Sequence, residues 1–486
     1  MRESLTRAIS LAERQILRIF FSLDKRMGEA GRTGQVQIGG GMQDVKHTSA
    51  GVPPEQGSHQ LRRVLTLREA VAIGVGGTIG GGIFVLVGAA AGRAGPGTLL
   101  SFLLAFGISL LIALPYAELA CRYPLAGGGY AFARTLLGPH WGFLMGWGYW
   151  GAYIFISGYV TLGFGGYLHA LTGLPPISGA LALIGISTGI NLVGVRLSGL
   201  VQSLVIGVAI VALLAFGVLG LPHVHVAQFT PFLPYGIGGV AVATLLAFLA
   251  FGGFDMVAAA GEEIASPERN LPRAILLTLF VVLGLYLLVT FVALGTLPWN
   301  VLGRSPAPLA AAASQFLGST GRQLTAVAAM LTTAATGNAV LIVTSRVAFA
   351  MARDGLLPGL VARVHPTTDV PWGAVVLNGI LLAFIALTGS VMLLAVVGGF
   401  LYVLHFLFPL IALVILRRRG GQSPAFRTPA PQIVLPLACG GCLLLLVTSG
   451  WTGVLGGLGW LCVGLLAYGG VQISRRAGNH RRHERS

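Results

Sequence analysis

Residues 135–195 hold no Asp, Glu, Lys or Arg, a run of 61 positions. Soluble domains carry about 25% charged residues, so no soluble fold accommodates such a run. About 20 apolar residues cross a bilayer as a helix, which gives this run room for two spans. The turn-forming stretch Thr172-Gly173-Leu174-Pro175-Pro176 divides them. The whole chain follows the same pattern, with 55% hydrophobic and 9% charged residues. Its apolar runs are continuous, whereas a transmembrane barrel shows short alternating strands. The fold class is therefore an all-α polytopic membrane protein.

Twelve segments follow from the apolar runs: 69–92, 95–118 (containing Pro115), two within 135–195, 199–221, 236–261, 273–297, 323–351, two within 371–416 divided near Gly389 and Ser390, and two within 428–474 divided near Ser449-Gly450-Trp451. Residues 306–317 read as a short surface helix. With the N-terminus cytoplasmic, the short inner loops hold Arg122, Arg134, Arg196, Arg269, Arg273, Arg353, Arg363, Arg417, Arg418, Arg419 and Arg427. The outer loops hold Arg93, Arg304 and Arg322. Eleven against three is a positive-inside bias that places both termini in the cytoplasm. A missed helix would invert every later assignment and spoil this agreement.

Residues 1–62 form a cytoplasmic extension. Its first 24 positions have helical periodicity with Arg7, Arg14 and Arg18 on the polar side, as an interfacial helix does, and the rest reads as disordered. Charges interrupt any signal-peptide core. Residues 63–420 make the core of ten helices, 421–474 two more, and 475–486 a basic cytoplasmic tail. The net charge of +16 lies in tails and alternate loops, a pattern of orientation and anionic-lipid contact, with no nucleic-acid-binding motif. Arg-rich, Lys-poor usage points to a prokaryotic cell (inner) membrane. Cys439-Gly-Gly-Cys442 sits in an apolar run without a second pair, and reads as membrane helix. No cluster of paired acids, His ligands or nucleophile with base lies at membrane depth, so an enzyme is disfavoured and no cofactor is implied.

Two segments are interrupted by glycine at their middles. The first reads Gly76-Gly77-Thr78-Ile79-Gly80-Gly81-Gly82-Ile83-Phe84, the sixth Leu249-Ala250-Phe251-Gly252-Gly253-Phe254-Asp255. Each glycine costs a helix roughly 1 kcal/mol relative to alanine, so three in a row predict a break. Close helix packing through small residues at every fourth position is the rival reading of either cluster alone. The interruptions lie five helices apart, and an odd-numbered repeat inverts its second copy. Broken helices at matching positions of two halves point to a transporter site at the midplane.

These motifs resemble those of the amino acid–polyamine–organocation superfamily of amino acid permeases, with the cationic-amino-acid-transporter-like branch nearest. The resemblance continues in Tyr116-Ala117-Glu118-Leu119, Tyr123-Pro124, Gly127-Gly128-Gly129-Tyr130, Glu262-Glu263, Pro267-Glu268-Arg269-Asn270-Leu271-Pro272, Ser345-Arg346-Val347 and Ala350-Met351-Ala352-Arg353-Asp354-Gly355, in order across about 66–430. It implies two inverted five-helix repeats of the leucine-transporter type, helices 1–5 and 6–10, plus two peripheral helices. It also implies alternating-access transport of an α-amino acid, by proton-coupled symport or exchange. A non-transporting amino acid sensor and a sodium-coupled symporter are the alternatives.

In this reading the resumed half of segment 1 presents free N–H groups and a positive dipole end to the substrate carboxylate, at Gly80, Gly81 and Gly82. The carbonyls of Thr78, Ala250, Phe251 and Gly252 take the ammonium group, and the same backbone positions carry over from the family. Gly252 and Gly253 suggest room for a sizeable side chain. Phe251, Phe254 and Asn338 are candidates for selectivity or gating, with helical-core packing as the rival, and Asp255 is a candidate for a structural or gating role or for direct substrate or proton work. His405, titrating in the right range, is the candidate for proton coupling, against a packing role. Thr332, Thr333 and Thr336 offer hydroxyls to a sodium ion, or bond their own helix backbone. No lysine lies in segment 5, so a lysine in place of sodium there is not available.

Overall fold

Glycine and proline set the ends of the helices. In a computed structural model the described residues are 65–122, 136–194, 199–259, 263–366, 370–419 and 426–483. The chain divides into residues 1–60 and 61–486, and all of these residues belong to the second unit. The N-terminal extension, the Gly127–Gly129 triplet, Arg134, Arg196 and Glu262 lie outside the described residues.

The first apolar segment forms two helices, α1 (Leu67–Thr78) and α2 (Gly81–Ala94). Thr66 caps α1: its hydroxyl accepts the Glu69 N–H at 3.5 Å, and the Glu69 carboxylate accepts the Thr66 N–H at 2.7 Å. That reciprocal box satisfies backbone donors the helix leaves open. A turn at Gly95-Pro96-Gly97 leads into α3 (Thr98–Arg122). Next come α4 (Pro139–Thr172) and α5 (Pro176–Val193), separated at Gly173, whose left-handed φ of 77° ends the helix. Then α6 (Gly199–Gly220) precedes the sixth segment, which is split into α7 (Gly236–Ala250) and the single turn α8 (Met256–Ala259). The remaining helices are α9 (Pro267–Thr296), the short α10 (Trp299–Leu302), α11 (Pro308–Arg353), α12 (Trp372–Ala386), α13 (Val391–Arg419), α14 (Pro431–Thr448) and α15 (Gly450–His483).

Nine helices among the described residues are long and apolar enough to cross a membrane, with 81–122 taken as one run, and α7 and α12 are shorter apolar helices. The predicted surface helix at 306–317 needs correction. It begins at Pro308 as part of α11, bends at Gly318 and buries Leu309, Ala310, Ala312 and Ala313. Its first residue packs on α2, where a Cβ on Gly88 would stand 2.8 Å from Pro308 Cβ. Position in the bundle shows in burial. The most apolar window of α13 is 72% buried, against 22% in α14 and 17% in α15, so α13 is central and the last two helices lie outside.

Two contacts tie the bundle at one end. Leu65, just before α1, pairs with Ile264, just after α8. The Leu65 N–H donates to the Glu263 carbonyl at 2.9 Å, and the Ala265 N–H donates to the Leu65 carbonyl at 2.8 Å. The chain entering α1 is thereby joined to the chain leaving α8. Glu118 on α3 is buried and accepts from Arg417 of α13 twice, through Nε at 3.2 Å and through Nη2, and from the Thr428 N–H at 2.8 Å. Removing one partner of such a pair leaves a buried charge uncompensated, a loss larger than removing both. Glu118→Ala is expected to destabilise the protein by about 3 kcal/mol. Thermal unfolding of purified protein in detergent checks this, with the double variant Glu118→Leu/Arg417→Met melting above the single one.

Candidate functional site

The first break occupies two residues. The Thr78 hydroxyl turns back to the Gly74 carbonyl at 2.8 Å, Ile79 leaves helical geometry with ψ 64°, and Gly80 is extended at φ −92° and ψ −158°. The Gly80 N–H is spent on the Thr78 carbonyl at 2.8 Å. Gly81 and Gly82 are already helical and open α2. They are needed for close approach: a Cβ on Gly82 would lie 3.3 Å from Ala250 Cα, and one on Gly81 would lie 2.8 Å from Thr333 Cγ2. The triplet therefore serves both as a break and as a packing surface. The Gly81 N–H donates to Thr336 Oγ1 at 3.1 Å, so a side chain of α11 caps the start of α2.

The second break runs through turns at residues 251–255. Gly253 has φ 115°, which side chains rarely adopt, and a Cβ there would stand 2.4 Å from the Gly77 carbonyl oxygen. The two interruptions thus meet backbone to backbone. Two tyrosines complete the junction, and neither lies in a sequence motif. The Tyr286 hydroxyl on α9 lies 2.9 Å from the Thr78 carbonyl oxygen and 3.0 Å from that of Ala250. The Tyr402 hydroxyl on α13 accepts the Gly253 N–H at 3.2 Å and donates to Asp255 Oδ1 at 3.1 Å. A buried tyrosine needs a partner for its hydroxyl, but only the fold reveals which one.

A cavity of about 50 Å³ opens between the breaks. Thr78, Gly80, Gly82, Ala250 and Gly252 line it, together with Tyr153, Tyr159, Thr336 and Tyr402. Gly81 and Phe251 do not line it. The Phe251 ring turns away onto Phe102, Phe106 and Tyr286. The space expected beside Gly252 is taken: a Cβ there would meet the Tyr402 hydroxyl at 3.1 Å. A volume of this size equals a few water molecules at roughly 10–15 Å³ each.

Of the remaining candidates, Thr336 lines this cavity, whereas Phe254, Asp255, Asn338, Thr332, Thr333 and His405 do not. Phe254 stacks on Phe406, with centroids 5.4 Å apart and planes 11° apart. Asp255 is buried and held by Tyr402. Asn338 accepts from the Asn191 amide of α5 at 2.8 Å. The three threonine hydroxyls each donate to their own helix, Thr332 to Ala328, Thr333 to Ala329 and Thr336 to Thr332, at 2.7, 2.7 and 2.8 Å. His405 is buried beside Tyr149 and Tyr402, with ring centroids at 4.9 and 5.9 Å, and among the described residues neither ring nitrogen has a hydrogen-bond partner.

Gly253→Ala is expected to cost roughly 3 kcal/mol, because it combines a strained φ with a backbone clash. A fall in melting temperature together with loss of monodisperse protein on size exclusion checks it. Gly459→Ala, in open space, serves as the neutral control.

The sequence is similar to those of known proteins. The profile of the family described as amino acid permease matches residues 65–463. The chain is 31% identical over 438 residues to the branched-chain amino acid permease BcaP of Bacillus subtilis (strain 168), covering 85% of this chain and 93% of that one. It is 32% identical over 433 residues to the methylthioribose transporter of the same organism, covering 85% and 94%. With cationic amino acid transporter 4 of Homo sapiens it shares 32% identity over 405 residues, 78% of this chain and 63% of the human one. These relatives are permeases and transporters, and the chain is a multi-pass membrane transport protein, not an enzyme. It belongs to the amino acid permease family of the amino acid–polyamine–organocation superfamily.

Proposed function

We propose that the protein is a secondary active transporter that carries α-amino acids across the cytoplasmic membrane by alternating access, with both termini in the cytoplasm. The observation that carries this reading is a juxtaposition of opposite polarities. The start of α2, with its N–H groups and positive dipole end, and the end of α7, with its carbonyls and negative end, face one cavity. An α-amino acid bears a carboxylate and an ammonium on a single carbon, so one small ligand answers both ends at once. The carboxylate is assigned to the backbone of Gly80, Gly81 and Gly82, in place of the Thr336 hydroxyl that the Gly81 N–H now bonds. The ammonium is assigned to the carbonyls of Thr78, Ala250 and Gly252, which line the cavity, whereas Phe251 does not.

The supporting architecture is twelve spans in two inverted five-helix repeats, with α1–α2 and α7–α8 as the matching discontinuous helices. The outer position of α14 and α15 agrees with it, as do family membership and the relatives named for amino acids. Driving force comes from proton-coupled symport or from exchange of one amino acid for another. Asp255, held by Tyr402 of the cavity wall, is assigned to gating. The small volume of the cavity agrees with a site that must open to admit its substrate.

A thermal-shift screen of the twenty amino acids tests the site. Ligand at 100 times its Kd stabilises the folded state by about 2.7 kcal/mol, a readable rise in melting temperature. The N-acetyl and methyl-ester derivatives of the best ligand, each lacking one charge, are expected to give no shift. A shift with methylthioribose, which has neither group, and none with any amino acid would sink the reading. Uptake of the best ligand into proteoliposomes, under proton and sodium gradients imposed separately, tests transport. Binding without uptake or exchange would make the protein a sensor.

A further inference from the structure

Tyr286 belongs to neither interrupted segment, yet its hydroxyl touches the carbonyl that closes α1 and the carbonyl that closes α7, at 2.9 and 3.0 Å. The residue is fully buried. Its ring is gripped by Phe102 on α3, with centroids 5.8 Å apart at 77°, and by Phe251, 5.4 Å apart at 52°. Those contacts fix where the hydroxyl points. A phenol has one proton to give, whereas each carbonyl oxygen has two acceptor lone pairs. The Thr78 oxygen also accepts the Gly80 N–H at 2.8 Å, so with the tyrosine proton on the Ala250 oxygen one acceptor position stays open on each carbonyl. Thr78 and Ala250 line the cavity and Tyr286 does not, so the tyrosine approaches from behind and the unused capacity is left to the cavity side.

We propose that Tyr286 is a positioning residue of the ammonium subsite, holding the Thr78 and Ala250 carbonyls at a separation that a single –NH3+ group can span. This rests on the assignment of the cavity to an α-amino acid. The geometry has a consequence for specificity. An ammonium brings three donors on one nitrogen and can donate to both carbonyls at once, while a hydroxyl in its place has one proton and satisfies only one. Charge-assisted bonds widen the difference. The clamped pair of carbonyls thus selects an amino acid over the corresponding α-hydroxy acid, and Tyr286 sets how sharply it does so. Backbone carbonyls cannot be removed by mutation, and Tyr286 is the side chain through which they can be perturbed.

Tyr286→Phe keeps the ring and its aromatic contacts and removes only the hydroxyl. The experiment measures, by isothermal titration and by competition, the Kd of the best amino acid and of its α-hydroxy acid counterpart in wild-type and variant protein. Tyr286→Phe is expected to bind the amino acid about 10-fold more weakly, the size of one lost hydrogen bond. The hydroxy acid should move less, so the ratio of the two affinities falls, while the unliganded variant melts somewhat lower than wild type but remains folded at the titration temperature. Phe102→Leu, which loosens the grip on the ring and keeps the hydroxyl, is expected to lower the same ratio by a smaller factor. It decides the matter if Tyr286→Phe does not fold. Unchanged amino acid affinity, or equal weakening of both ligands, would show a purely structural tyrosine and overturn the proposal. Wild-type protein that binds no α-amino acid would overturn the site assignment as well, and the two failures are told apart by the wild-type titration alone.

Discussion

A helix interrupted inside a bilayer leaves N–H and C=O groups that lipid cannot satisfy. This protein contains two such interruptions and places them against each other. Gly77 and Gly253 bring the two backbones to a distance that no side chain would allow. Three hydroxyls from intact helices then answer part of the exposed polarity: Thr336 at the Gly81 N–H, Tyr286 at the Thr78 and Ala250 carbonyls, and Tyr402 at the Gly253 N–H. The surrounding helices are arranged to deliver those three groups. α9, α11 and α13 each contribute one.

The same constraint governs the charged groups. Glu118 lies in a transmembrane helix with 1% of its surface exposed, and it is tolerated because Arg417 and the Thr428 N–H surround its carboxylate. The strap between Leu65 and Ile264 uses backbone hydrogen bonds to join the chain entering α1 to the chain leaving α8. The parts of the two interrupted segments below the breaks are coupled to each other there, whereas α2 and α7 pack on one another above.

A site built mainly from backbone recognises what its ligands have in common and is indifferent to the rest. Relatives of nearly equal similarity are named for branched-chain amino acids, cationic amino acids and methylthioribose. Their names differ while the degree of kinship does not, and under the proposed reading the side chains that line the cavity would carry the selectivity. In this chain they include Tyr153, Tyr159, Met256, Thr336, Val340 and Tyr402 beside the glycines, a wall without a charged group among the described lining residues.

Charge-free runs, glycine interruptions and the placement of arginine were enough to derive helical spans, their approximate ends and two breaks, because each is a local property: a bilayer demands continuous apolar helix, and glycine weakens helix wherever it stands. The carbonyls of Thr78 and Ala250 were legible for the same reason, as ends of helices. Tertiary structure decided everything that depends on which helix faces which. It moved Gly81 and Gly82 from the gap into the first turn of α2, turned the Phe251 ring away from the cavity and filled the space beside Gly252 with Tyr402. It also brought in Tyr286, whose role has no signature along the chain. A buried tyrosine in an apolar helix looks the same in sequence whatever it touches, and its partners here lie 36 and 208 positions away.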